Sequence, residues 1–189
     1  MIRIAVFVSG EGTNLQKIYE ACQEERIDGE VVLVVSDRLC KGIIWADSQE
    51  IPIAVLSPSL FPSRHSWGNS LEEIIKGYRV DLICLAGFLK ILSDNFVVSL
   101  LGSILNIHPG LLPQLAGKDP QRKAIELGLK ETGNTVHIVT NILDDDSFIL
   151  AVDKVEILDF DTEENLSQRL KESGYETYIT AINQWIAAP

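Results

Sequence analysis

The sequence has no apolar run approaching the about 18–20 residues that a membrane-spanning helix requires. A membrane role is therefore not expected. The opening Met-Ile-Arg-Ile-Ala-Val-Phe-Val-Ser-Gly reads as a strand rather than a secretion signal, which sets a cytoplasmic expectation. Cysteine is scarce. Cys22, Cys40 and Cys84 are odd in number, widely spaced and without a C-x-x-C pair, which suits reduced thiols and speaks against a disulfide framework or structural zinc. Basic residues are outnumbered, 16 Lys+Arg against 27 Asp+Glu for a net charge of −11, which argues against a nucleic-acid binder. Also missing are internal repeats, low-complexity tracts and any D-x-[DN]-x-[DN]-G calcium loop.

What is present is an ordinary globular composition. Over 189 residues, 46% are hydrophobic and 23% charged, far from the disordered regime, and the length fits one domain over residues 1–189. Three β-branched apolar runs, residues 2–8, 31–35 and 80–86, alternate with amphipathic stretches of helical length at 15–25, 42–50 and 67–78. Residues 53–56 form a further short strand. This alternation predicts an α/β fold, a single doubly wound, mostly parallel sheet with helices on both faces. Downstream, the pattern predicts a strand at 104–108, a helix at 120–127, and strands at 135–140 and 148–157 as an antiparallel extension. It ends in a helix over 163–187, capped near Asp161 or Thr162 and interrupted at Gly174.

Four segments carry the chemistry. Ser9-Gly10-Glu11-Gly12-Thr13-Asn14 joins the first strand to the first helix, where free N–H groups at the helix start can hold a phosphate without a basic side chain. The segment lacks the Lys of a nucleotide-hydrolase loop and the third Gly of a dinucleotide fingerprint. Its bland alternative is a tight turn with Thr13 or Asn14 as the helix cap. Asn106 and His108 stand two apart on a strand ended by Pro109, so both project from one face near its carboxyl end. An amide there can stabilise an oxyanion and an imidazole can move a proton. Asp144-Asp145-Asp146 offers a carboxylate to His108, with a solvated turn as the alternative and metal binding ranked low. Gly87 to Leu92 follows a strand and could grip a flat heterocycle. His137, among apolar neighbours, reads as structural, and His65 as surface.

Together, Ser9-Gly10-x-Gly12-Thr13-Asn14-Leu15-Gln16, Leu85-Ala86-Gly87-Phe88-Leu89-Lys90-Ile91-Leu92, Asn106-Ile107-His108-Pro109 and Leu111-Leu112-Pro113 resemble the phosphoribosylglycinamide formyltransferases, in order and spacing and over nearly the whole chain. The resemblance implies a Rossmann-like formyltransferase fold. It also implies transfer of a formyl group from 10-formyltetrahydrofolate, as co-substrate, to the amine of glycinamide ribonucleotide in purine biosynthesis, without metal. It assigns Asn106, His108 and Asp144 as the catalytic trio and Gly12, Thr13 and Asn14 as the phosphate loop. The folate contacts it assigns are Arg64, Leu89, Lys90, Ile91, Leu92 and Asn106, with Thr140, Asn141, Ile142, Leu143 and Asp144 around the pterin ring. A monomer or homodimer acting on small molecules is implied.

The chain departs from that pattern after Asp144, where Asp145, Asp146, Ser147, Phe148 and then Ala151 replace a Gly-rich, Pro-containing turn and a later Gln. Two added carboxylates are expected to raise the apparent pKa values of the cluster. Gly110 replaces a Ser, Lys118-Asp119 replaces a His-containing loop, and Gly174 replaces a Glu near the ribonucleotide, leaving Lys171 as a substitute phosphate contact. Two other readings stand beside the transferase: another folate-dependent formyl enzyme, acting on a different amine or on water, and a catalytically silent ligand-binding relative.

Overall fold

The computed structural model describes residues 1–188, which form two compact units, one spanning Met1–Leu105 and the other running from Asn106 onward.

In the first unit β1 (Ile2–Val8) leads to α1 (Thr13–Gln23), β2 (Gly29–Ser36), α2 (Lys41–Ser48) and β3 (Ile53–Val55). Then come a short 3₁₀ turn at Pro58–Leu60, α3 (Arg64–Gly77), β4 (Leu82–Leu85), α4 (Asp94–Ser99) and β5 (Ile104–His108), whose last three residues enter the second unit. The strand order is β3-β2-β1-β4-β5. β1 pairs in parallel with both β2 and β4, and β2 with β3, so the chain winds outward from β1 and returns on its other side. The continuous apolar runs of the sequence follow from this burial. Residues Ile4 to Val8 are wholly inaccessible, as a strand covered on both faces must be. The order reverses between β1 and β4, and in open α/β sheets ligands bind beyond the strand ends at such a point.

In the second unit come α5 (Pro120–Glu126), β6 (Glu131–Thr132), β7 (Thr135–Ile138), β8 (Ile149–Val152), β9 (Val155–Glu156) and α6 (Glu163–Ala187). β7 lies beside β5, and β8 pairs antiparallel to β7 with a bulge at Val136/His137, which is the expected extension. Residues 148–157 are not one strand. They divide into β8 and β9, and β9 pairs with β6 in a separate two-stranded sheet. The dipeptide strand β6 and the six-residue α4 are too short to leave a periodic signal. α6 runs unbroken through Gly174, because a Cβ there would lie 3.1 Å from Ile107 Cδ1 and 3.2 Å from Asn134 Cγ. Gly174 permits a close helix approach rather than a break. Thr162 caps the helix by accepting from the Asn165 N–H at 3.3 Å. Leu115, Ala124, Val155, Ile157, Leu166 and Leu170 form a hydrophobic cluster that ties α5, β9 and α6 together.

No helix among the described residues is long and apolar enough to cross a membrane. The cysteines are free thiols, and burial pushes Cys22 up to about 11.

Candidate active site

The loop from β1 to α1 is built on Gly12. That residue takes φ +76°, and a Cβ on it would lie 2.6 Å from Gly42 Cα. Both the turn and the contact with α2 require glycine. Gly12 itself occupies the cap position without a side-chain bond, so Thr13 and Asn14 are not caps but the first helical residues. Helix geometry leaves the first-turn N–H groups without internal acceptors, and the buried Asn14 Oδ1 has no partner.

The 87–92 turn is anchored from several sides. Gly87 (φ +71°) opens it, and its carbonyl accepts from the Ser9 N–H at 3.2 Å. Phe88 stacks on Trp67 and meets Phe7 edge-on. The Ser9 hydroxyl accepts from Leu89 N–H at 2.9 Å and donates to Asp37 at 2.5 Å. Burial raises the Asp37 carboxyl, but bonds from Arg38 and Ser9 outweigh this and hold it below the usual carboxylate range. Lys90 Nζ lies 3.9 Å from the same carboxylate. Arg64 opens α3 and donates to the carbonyls of Ile91 and Leu92 at 3.0 and 2.7 Å, which brings it together with the segment the sequence grouped with it. Leu89 and Ile91 remain 71% and 65% exposed, an apolar lip that a planar ring could cover. Beside it lies an open cleft lined by Arg64, His65, Ser93, Asp94 and Asn95.

The second unit gathers the acid–base chemistry. β5 carries Asn106 and His108. His108 Nδ1 faces Asp144 Oδ1 at 3.5 Å, with both side chains more than nine-tenths buried, and His108 Nε2 donates to the Leu115 carbonyl at 2.8 Å. Asp144 holds an unusual φ of +50°, and its Oδ2 accepts from the Gly117 N–H at 2.7 Å. Both ring nitrogens of His108 thus face acceptors, which a doubly protonated imidazolium satisfies together.

His137, read from the sequence as structural, joins this group. Its Nε2 accepts from Asn106 Nδ2 at 3.4 Å while its Nδ1 lies 3.2 Å from the Ile138 carbonyl. Burial pushes its pKa below the ordinary histidine value, which suits a neutral ring with the proton on Nδ1. That ring orients the Asn106 amide and leaves the amide's second N–H for another acceptor. The clue was its position on the strand beside β5, a pairing that no local pattern reveals.

Within the acidic run, Asp145 behaves contrary to expectation. Bonds from Ser147 and Thr140 lower Asp145 to about 2 instead of raising it. Its oxygens accept from the Thr140 hydroxyl at 2.6 Å and the Ser147 N–H at 2.9 Å, and Thr140 in turn accepts from Ile142 N–H at 3.1 Å. Asp145 closes the 140–147 loop from inside, while Asp146 is exposed. Asn141, Ile142 and Leu143 are exposed along its rim, and Thr140 is half-buried. Lys171 is exposed on α6. Among the described residues no group of three His, Cys, Asp or Glu is placed to hold a metal ion.

Residues 2–182 match the family model described as "Formyl transferase". The chain is 38% identical over 183 residues to the phosphoribosylglycinamide formyltransferase of Haemophilus influenzae, covering 96% of this chain and 86% of that one. It is 36% identical to the trifunctional purine biosynthetic protein adenosine-3 of Gallus gallus, where the match covers 96% of this chain but 18% of that much longer protein. A solved glycinamide ribonucleotide transformylase 1 from Symbiobacterium toebii superposes with a TM-score of 0.93 at 40% identity, over 96% of this chain and 86% of that one. With the sheet order, the glycine loop after β1 and the Asn106–His108–Asp144 group already in place, the chain belongs to the formyl transferase family, among the relatives of the phosphoribosylglycinamide formyltransferases.

Proposed function

We propose that this chain, as a single formyltransferase domain, transfers the formyl group of 10-formyltetrahydrofolate to the amine of glycinamide ribonucleotide. The products are formylglycinamide ribonucleotide and tetrahydrofolate, in purine biosynthesis. The observation that carries the reading is the buried pairing of His108 with Asp144 beside an Asn106 amide held by His137.

The reaction forms a bond between the amine nitrogen and the formyl carbon and breaks the bond from that carbon to N10 of the folate. One proton leaves the amine and one arrives at N10. Negative charge develops on the formyl oxygen, where the free Asn106 N–H donates and the positive charge of imidazolium His108 adds electrostatic stabilisation. Asp144, fixed by Gly117, balances the imidazolium charge and directs Nδ1. Folate binding falls to Arg64 and Leu89 to Leu92, and to Thr140, Asn141, Ile142, Leu143 and Asp144. The exposed apolar side chains of Leu89 and Ile91 fit a flat heterocycle. Gly12, Thr13 and Asn14 fit the ribonucleotide phosphate, because α1 presents unpartnered N–H groups that suit an anion even on a chain of net charge −11. The reading has the protein working in the cytoplasm as a monomer or homodimer, without metal.

The test follows the absorbance change as a 10-formyl folate analogue loses its formyl group, with and without glycinamide ribonucleotide. Amine-dependent loss is expected. Asn106→Ala should lower turnover by roughly 10²–10³, and His108→Ala should abolish it. Loss without the amine would instead mean hydrolysis, and ligand binding without loss would mean a silent relative.

A further inference from the structure

Three successive residues between β5 and α5 each make one bond that bears on the site. Leu115 offers its carbonyl to His108 Nε2 at 2.8 Å, Ala116 offers its carbonyl to Lys123 Nζ at 2.9 Å, and Gly117 donates its N–H to Asp144 at 2.7 Å. We propose that Lys123 is a positioning residue. Through the Ala116 carbonyl it holds residues 115–117 against His108 and Asp144, and so dictates which imidazole nitrogen carries the proton that moves. The inference deepens the proposed formyl transfer and rests on that reading.

A carbonyl only accepts, so the bond to Leu115 commits Nε2 to being an N–H. The nitrogen left to gain and lose a proton is Nδ1, the one facing Asp144. The carbonyl must stay in place for this to hold, and the fold restrains it from two directions. The Leu115 side chain is fully buried in the hydrophobic cluster with Ala124 of α5, and Lys123 on the same helix spends its ammonium on a backbone carbonyl. The third element is Gly110. A Cβ there would lie 3.0 Å from His108 Nε2 and 2.9 Å from both Leu115 Cβ and Pro120 Cβ, so the segment packs this closely because Gly110 has no side chain. Lys123 and Gly110 lie outside the reacting group and act through Leu115.

The test combines kinetics with imidazole ¹⁵N–¹H correlation spectra of the uniformly ¹⁵N-labelled full chain at alkaline pH, with His108 assigned by His108→Gln. The wild type should show the Nε2–H form of His108 alone. Lys123→Met, checked for folding by thermal unfolding, should show both tautomers. Its kcat should fall by roughly tenfold or more with KM little changed, since small misplacements of a reacting group are costly. Lys123→Arg, which keeps a donor, should restore both readouts. Gly110→Ala, which leaves the charge intact, should mix the tautomers as Lys123→Met does. A wild type with mixed tautomers, a folded Lys123→Met with the wild-type tautomer and kcat, or a Gly110→Ala with the wild-type tautomer would each overturn the inference. The spectra read the free protein, so absence of formyl transfer would sink the proposed function while leaving this test to stand or fall separately.

Discussion

At the scale of single residues, the departures from the family pattern are where the structure adds most. Asp145 bonds Thr140 and Ser147 inside the loop that carries Asp144. Its carboxyl sits at about 2, below the ordinary 3.8, so between those values the unfolded chain binds more protons than the folded one. The stability Asp145 contributes is therefore full above about pH 4 and is lost as pH falls toward 2. Asp145→Asn should flatten that part of the acid-unfolding profile, as read from urea midpoints measured at several pH values. His137 illustrates the opposite case. A histidine among apolar residues is usually a satisfied core side chain, and this one is buried and bonded, yet its second nitrogen sets the Asn106 amide.

At the scale of elements, the β1–α1 connection is a turn that only glycine satisfies, because positive φ at Gly12 coincides with backbone contact on Gly42 at the start of α2. Gly12→Ala should destabilise the protein by about 1–3 kcal/mol through left-handed strain and overlap. It should also raise the KM for the ribonucleotide, while leaving folate affinity near the wild-type value. Urea unfolding and initial rates at varied ribonucleotide would check both parts. α6 shows how an element can mislead when read locally. Gly174 weakens helix propensity by about 1 kcal/mol, but its missing side chain lets the helix settle on Ile107 and Asn134, and the packing outweighs the local cost.

At the scale of the whole molecule, the charge balance makes the local fields decisive. With 27 acidic against 16 basic residues, long-range attraction does not recruit an anionic substrate, so under the proposed function affinity comes from oriented backbone amides and a few placed cations such as Arg64 and Lys90. A ligand that binds only the folded protein stabilises it by about 2.7 kcal/mol at 100 times its Kd. For a chain of this length that is roughly a 5–10 °C rise in Tm. Such a rise is expected with glycinamide ribonucleotide and with a 10-formyl folate analogue separately, and differential scanning fluorimetry would measure it. A flat response to the ribonucleotide would count against the phosphate loop.

Much of this was legible in the linear chain. The strands of the parallel sheet, the turn after β1 and the position of Asn106 and His108 on β5 follow from period, glycine placement and the backbone restriction imposed by Pro109, all of which act over a few residues. Tertiary structure alone decided what depends on residues distant in sequence. It divided 148–157 between two sheets, placed His137 against Asn106, carried Asp145 into a hydrogen-bonded loop where its pKa falls, and set the Leu115 carbonyl on His108. Each of these is a pairing between groups whose partners are fixed by packing. The energy of a buried polar contact depends on which partner arrives, and no local pattern encodes that.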